Sequence, residues 1–157
     1  MARETITIEY PEAFYSLFNT SCKGLPAVVV VNGALREFPH RGIFPWHLSV
    51  IITPRDFAEH GMPTPEEVHV LDAVGDEIEA GVIGQRNALF LARETWNGTR
   101  QLLFRVNDPD VANEFLQTLI ARSDQRREWQ FEMERDPTWS FAEEMFSLFE
   151  KAGGSDA

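Results

Sequence analysis

The chain has 157 residues, 43% of them hydrophobic, and a formal net charge of −11 at pH 7. That suits one domain with a sizeable core, and the charge argues against non-specific binding to nucleic acid or anionic membrane, whose phosphates it would repel. Cys22 is the single cysteine, which excludes an intrachain disulfide; no apolar run approaches a membrane span and nothing near Met1 reads as a signal peptide, so a cytosolic protein is expected.

Thr5 to Tyr10 alternates, with Ile6, Ile8 and Tyr10 on one side, and reads as a short strand stopped by Pro11. Phe14 to Asn19 is rich in β-forming residues but also suits a helical turn. Cys22-Lys23-Gly24-Leu25 reads as a turn. Ala27 to Val31, with four consecutive valines, reads as a strand able to be buried on both faces and ended by Asn32-Gly33. Two prolines and a glycine make 36–45 a loop. From Trp46 to Thr53 the alternation returns. Trp46, Leu48, Val50 and Ile52 share one face, and His47, Ser49, Ile51 and Thr53 the other. Pro54 to Pro63 is an irregular connection.

Thr64-Pro65-Glu66-Glu67 predicts a helix start: Thr64 as cap, Pro65 at the first helical position and Glu67 closing a capping box. Val68, Leu71, Val74, Ile78 and Val82 form its apolar stripe, and Gly81 and Gly84 bracket its end. Two apolar runs between Asn87 and Val106 then flank Asn97-Gly98, the dipeptide that best supplies the two positive φ angles of a tight hairpin turn. Asp108-Pro109-Asp110 opens a second helix, with Val111, Phe115, Leu116, Leu119 and Ile120 on its apolar face. Arg122 complements the dipole in its last turn. Glu128 to Glu134 is a strand, with Trp129, Phe131 and Met133 on one side and Gln130, Glu132 and Glu134 on the other. Asp136-Pro137-Thr138-Trp139 opens a third helix with Trp139, Ala142, Met145, Phe146 and Phe149 on one face.

From Trp46 onward the order β-α-β-β-α-β predicts an α+β fold, a ferredoxin-like split βαβ sandwich with an N-terminal β extension and a C-terminal helix. Right-handed crossovers place both core helices on one face of a four-stranded antiparallel sheet. The earlier strands then extend that sheet at an edge or cover its other face. A single domain is expected over 1–152: a β extension over 5–34, the core over 46–135, a helix over 137–150 and a disordered tail over 153–157.

Gly61-Met62-Pro63-Thr64-Pro65-Glu66-Glu67, the hairpin with Asn97-Gly98-Thr99-Arg100, and Asp136-Pro137-Thr138-Trp139 resemble the bacterial domain of unknown function 695, loosely from Phe14 to Phe146. The shared motifs are helix caps, a turn and a tryptophan. The resemblance implies an α+β domain, sometimes joined to one resembling regulator B of ribonuclease E. It brings no activity, substrate, cofactor or catalytic residue.

No constellation of residues carries recognisable chemistry. His40, His47, His60 and His69 have no metal-ligand spacing, and Cys22 sits in a turn rather than at a helix N-terminus beside a histidine. No cofactor, metal or catalytic group is assigned. Asp72, Asp76, Glu77 and Glu79 form a solvated helix side in the plain reading, and an acidic docking surface for a basic partner in the functional one. Arg122, Arg126 and Arg127 read as a helix-end cluster in a polar loop. Phe141 and Leu148 lie a quarter turn or more off the apolar stripe of the last helix. They are wedged inside the protein, or they form a homodimer seam or a partner groove. The expected function is therefore a non-catalytic acidic protein-binding module: an inhibitor, immunity-type or regulatory protein with a basic protein partner, or a self-associating chain, with no direct nucleic-acid or membrane contact. The alternative is a small enzyme with an Asp/Glu-His-Arg site assembled in a cleft around His40, Arg41, His60 and Arg93.

Overall fold

A computed structural model describes residues 8–154. The elements run β1 (Tyr15–Cys22), β2 (Leu25–Asn32), β3 (Trp46–Ile52), α1 (Pro65–Gly84), β4 (Ala88–Trp96), β5 (Thr99–Val106), α2 (Pro109–Ile120), β6 (Trp129–Arg135) and α3 (Ser140–Gly154). The expected α+β class holds. The sheet has six strands rather than four, in the order β1-β2-β4-β5-β3-β6, and every pairing is antiparallel. Of the two placements open to the N-terminal strands, the chain takes the edge: β2 pairs with β4 and β1 pairs with β2. Of the strand expected over Thr5–Tyr10, residues 5–7 lie outside the described residues and 8–10 have no regular structure.

Both tight turns follow their local chemistry. Asn97 and Gly98 have φ of 45° and 77°, and Lys23 and Gly24 have 52° and 81°, so each pair supplies the two left-handed residues that a twisted hairpin needs. The helix starts are less uniform than their sequences suggest. Thr64 caps α1, accepting a hydrogen bond from the Glu67 amide at 3.2 Å. The reciprocal half of the expected capping box is absent, because the Thr64 amide donates to the Asp56 carbonyl. The Glu67 carboxylate is drawn off to the Arg55 amide and the Arg127 guanidinium. Asp108 caps α2 through the Asp110 amide at 2.9 Å. Arg122 lies beyond the end of α2 and pairs with Glu77 and Asp124 instead.

The third helix corrects the expected proline opening. Helix α3 begins at Ser140, three residues after Pro137, with Trp139 at a φ of 59° just before it. Asp136 does the capping from further back, accepting from the amides of Ser140 at 3.0 Å and Phe141 at 3.1 Å. The helix also runs through Gly154, into the expected tail. Gly81 likewise does not end α1 but lies within it, where a Cβ would come within 1.8 Å of the Phe115 ring. Its missing side chain is the notch that lets α2 approach.

Two cores result. Leu48, Val50, Ile52, Phe90, Leu102 and Phe104 meet Leu71, Val74 and Ile78 of α1 and Leu116 of α2 on one sheet face. Val29, Val31, Leu91 and Leu103 meet Leu35, Phe44, Trp139, Ala142 and Phe146 on the other, under α3 and the 33–44 segment. The two helical layers are offset across the sheet. Helices α1 and α2 leave the β1–β2 strip bare, with Tyr15 and Leu17 exposed, while α3 leaves the β3–β6 strip bare on the opposite face.

What fastens α3 is a buried ion pair. Arg105, fully buried on β5, holds the Asp136 carboxylate at 2.9 Å and also bonds the main-chain oxygens of Asp136 and Phe44. Asp136→Ala leaves that guanidinium buried and unpaired and removes the cap, so a loss of about 3–5 kcal/mol is expected in urea unfolding. Adding Arg105→Met should recover more than half of it. A single-variant loss below about 1 kcal/mol would show that the pair does not hold the helix.

Candidate functional site

The strip that α3 leaves bare is the floor of a cleft of about 810 Å³. Strand alternation decides what lines it. On this face β3 presents His47, Ser49 and Ile51, β5 presents Gln101 and Leu103, and β4 presents Glu94. Edge strand β6 adds Glu132 and Glu134, which lie across from Ser49 and His47 in register, while α3 closes one wall with Phe141, Glu144 and Met145.

The electrostatics of this cleft are one-sided. Four carboxylates, Glu94, Glu132, Glu134 and Glu144, face it, and no lysine or arginine is among its lining residues. None of the four makes an ion pair or a side-chain hydrogen bond among the described residues. Burial pushes the Glu94 carboxyl up from its ordinary value, with no neighbouring cation to oppose the shift. Gln101 donates to the Ser49 hydroxyl, so the floor is neutral and polar between its apolar residues.

His47 is the most deeply buried polar residue of the floor, ahead of Ser49. It is 6% exposed, its ring stacks on Phe141 with centroids 4.3 Å apart, and Nδ1 has no hydrogen-bond partner. Burial, then the neighbouring Arg105 charge, lower its pKa to about 4, against a smaller upward pull from Asp136. The imidazole is therefore neutral near pH 7. Asp136 itself stays ionised with a pKa of about 2. Burial opposes its ionisation, but bonds from Ser140, Phe141 and Arg105 outweigh that.

A second, smaller hollow of about 290 Å³ lies on the other face, beside the bare β1–β2 strip. It takes in three of the acidic residues that the sequence picks out on α1, and the structure divides that group. Asp72 is neutralised, 2.9 Å from the buried Arg100 and 3.7 Å from Arg93. Asp76 and Glu79 line the hollow, and Glu79 is held above its ordinary range by burial and then by Asp76. Glu77 points elsewhere and pairs with Arg122 at 3.1 Å. The four do not make one continuous acidic surface.

The two off-stripe residues of α3 also part company. Leu148 packs against the core under α3, while Phe141 stacks on His47 and lines the cleft. His40, Arg41, His60 and Arg93 are not brought together. Arg41 binds Glu143 on the α3 face and Arg93 lies beside Asp72 on the opposite one, while His60 sits by Glu59 in the loop before α1. Among the described residues no three His, Cys, Asp or Glu side chains come together as a metal ion would need, and no helix is long and apolar enough to cross a membrane. Glu94, Glu132, Glu134 and Glu144 escape sequence reasoning. The only trace of them is the polar side of β6, which reads as ordinary solvent-facing alternation.

A family model matches residues 15–145, that of a family of unknown function, DUF695. The chain belongs to this family. The match spans the whole sheet and the start of α3, so the cleft and its floor fall within the DUF695 region. No curated protein and no solved structure matches the chain.

The buried imidazole makes stability depend on pH. In the unfolded chain His47 takes up a proton as pH falls through its ordinary value of 6.5, but in the folded protein not until about 4. Stability is therefore lost as pH falls across that window, by on the order of 2–3 kcal/mol. Comparing urea unfolding at pH 7 and pH 4.5, His47→Gln should show a clearly smaller loss than the wild type. An unchanged difference between the two pH values would rule out a buried neutral His47.

Proposed function

We propose that this DUF695 protein is a non-catalytic binding module whose partner is a basic protein, acting as an inhibitor, immunity-type or regulatory protein. The observation that carries the reading is the set of four unpaired carboxylates converging on one cleft in a chain of net charge −11. Carboxylates collected in a cleft repel one another and focus a negative potential outward. That raises the encounter rate and selectivity for a cationic surface. Ile51 on the floor and Met145 on the α3 wall, both partly exposed, offer apolar area to bury once the charges have steered a partner in. An exposed, unpaired Cys22 suits the reducing cytosol.

For the frame beneath it, we infer a ferredoxin-like split βαβ core over residues 46–135. Support comes from the order β6-β3-β5-β4 inside the six-stranded sheet, with α1 and α2 packed on one face. Strands β1 and β2 then extend that core beyond β4.

A small enzyme using the same cleft is the second reading. It is favoured by His47, Ser49 and Glu132 lining one cavity. Against it, His47 makes no hydrogen bond to Ser49 or to a carboxylate, and an imidazole with a pKa of about 4 is a weak base at neutral pH.

Binding of hexa-lysine to the full chain, followed by calorimetry at low and at physiological salt, tests the first reading. Measurable binding at low salt that falls steeply as salt rises is expected. No binding at low salt would end the reading.

A further inference from the structure

We propose that the cleft beside α3 receives one arginine side chain of the protein partner, its guanidinium laid against Phe141 and forked onto the surrounding carboxylates. This rests on the binding-module reading and goes further by naming the group that the cleft recognises.

Three features select that group. The first is that the cleft offers acceptors without cations. The carboxylates of Glu94, Glu132, Glu134 and Glu144 surround a floor holding the His47 ring, 94% buried with Nδ1 unpartnered. A guanidinium carries five N–H donors in a planar fork that suits paired carboxylate oxygens. Arg105, the guanidinium under the floor, is already paired with Asp136.

The second is apolar lining at the right depth. Ile51 of β3 and Met145 of α3, both partly exposed, border the polar floor, and a long aliphatic stem would cover them while its charged head reaches the acids. A small inorganic cation would leave those residues bare.

The third is a contact that recurs on the same face. Arg36 lies over Phe149 at 4.3 Å, Arg41 over Trp139 at 5.0 Å and over Phe146 at 5.6 Å, and Arg105 over Trp139 at 4.7 Å. Phe141 is on the same helix, half-buried and facing the cleft, and among the described residues no guanidinium of this chain lies over it. It is a ring that lines the same cleft as the four carboxylates and has no arginine over it. Arginine stacks on an aromatic plane better than lysine does, because its guanidinium is flat and weakly hydrated. The prediction is therefore discrimination between two basic residues, and not attraction to positive charge alone.

The test compares hexa-arginine, hexa-lysine and agmatine, a free aliphatic guanidine, on the full chain at low salt. Hexa-arginine is expected to bind about tenfold more tightly than hexa-lysine and to shift the NMR signals of the His47 and Phe141 rings. Phe141→Leu should reduce the arginine affinity to that of lysine and leave the lysine affinity unchanged. Glu132→Gln with Glu134→Gln, both exposed on an edge strand, should weaken both peptides, which keeps the test independent of how Phe141→Leu folds. Asp76→Asn with Glu77→Gln on α1 should leave both peptides unaffected. Equal binding of the two peptides, or binding that leaves the two ring signals in place, overturns the arginine assignment while the binding-module reading stands. Agmatine binding as tightly as hexa-arginine overturns the assignment to a protein side chain. Failure of both peptides to bind removes both readings together.

Discussion

The contact on which the α3 side of the molecule depends is the pairing of Arg105 with Asp136. A guanidinium with no exposure is tolerable only with its charge matched and most of its donors occupied. Asp136 and the carbonyl of Phe44 supply that match. The same carboxylate caps α3 through Ser140 and Phe141, and the Trp139 indole donates to the Arg41 and Phe44 carbonyls. One residue thus joins a central strand, a loop and a helix start.

The strip that α3 leaves bare is the feature that matters for function. Two helices over one face of a six-stranded sheet and a single helix over the other cannot cover both faces completely. The layers are offset, so the β1–β2 strip is bare on the α1 side and the β3–β6 strip is bare on the α3 side. The two openings differ in character. Beside β1 and β2 the acids lie next to Arg93 and Arg100, and Asp72 is paired with them. Beside β6 the acids have no cation, and a neutral histidine lies under them. The second presents the larger unbalanced charge, four acids without a cation against three acids beside two arginines.

The His47–Phe141 stack links the two themes. It places an aromatic plane from α3 directly on the floor strand. The position of α3 therefore fixes both the wall of the cleft and the environment of its buried imidazole. Burial and the Arg105 charge below keep that imidazole neutral. The imidazole itself adds no positive charge to oppose a cationic visitor.

Much of this fold is legible in the residues, and the reason is local physics. The turn at Asn97-Gly98, the caps at Thr64 and Asp108, and the alternation of Trp46, Leu48, Val50 and Ile52 each report a preference that a few neighbouring residues settle by themselves. The departures are equally physical. Pro137 suggests a helix start that Asp136 moves to Ser140, because Arg105 holds that carboxylate from across the sheet. Glu67 abandons its expected capping bond because Arg127, sixty residues away, is the stronger partner. The candidate site belongs wholly to this second kind. Glu94, Gln101, Ser49 and Glu132 become neighbours only through strand register, and Glu144 joins them only through the seating of α3. Sequence alone determined strands β2 to β6 and the three helices to within a few residues, which faces would be apolar, and that the surface would be acidic; it left β1 open between strand and helical turn. Tertiary structure decided which acids would be paired and which left free, because charge balance depends on distances between segments far apart in the chain.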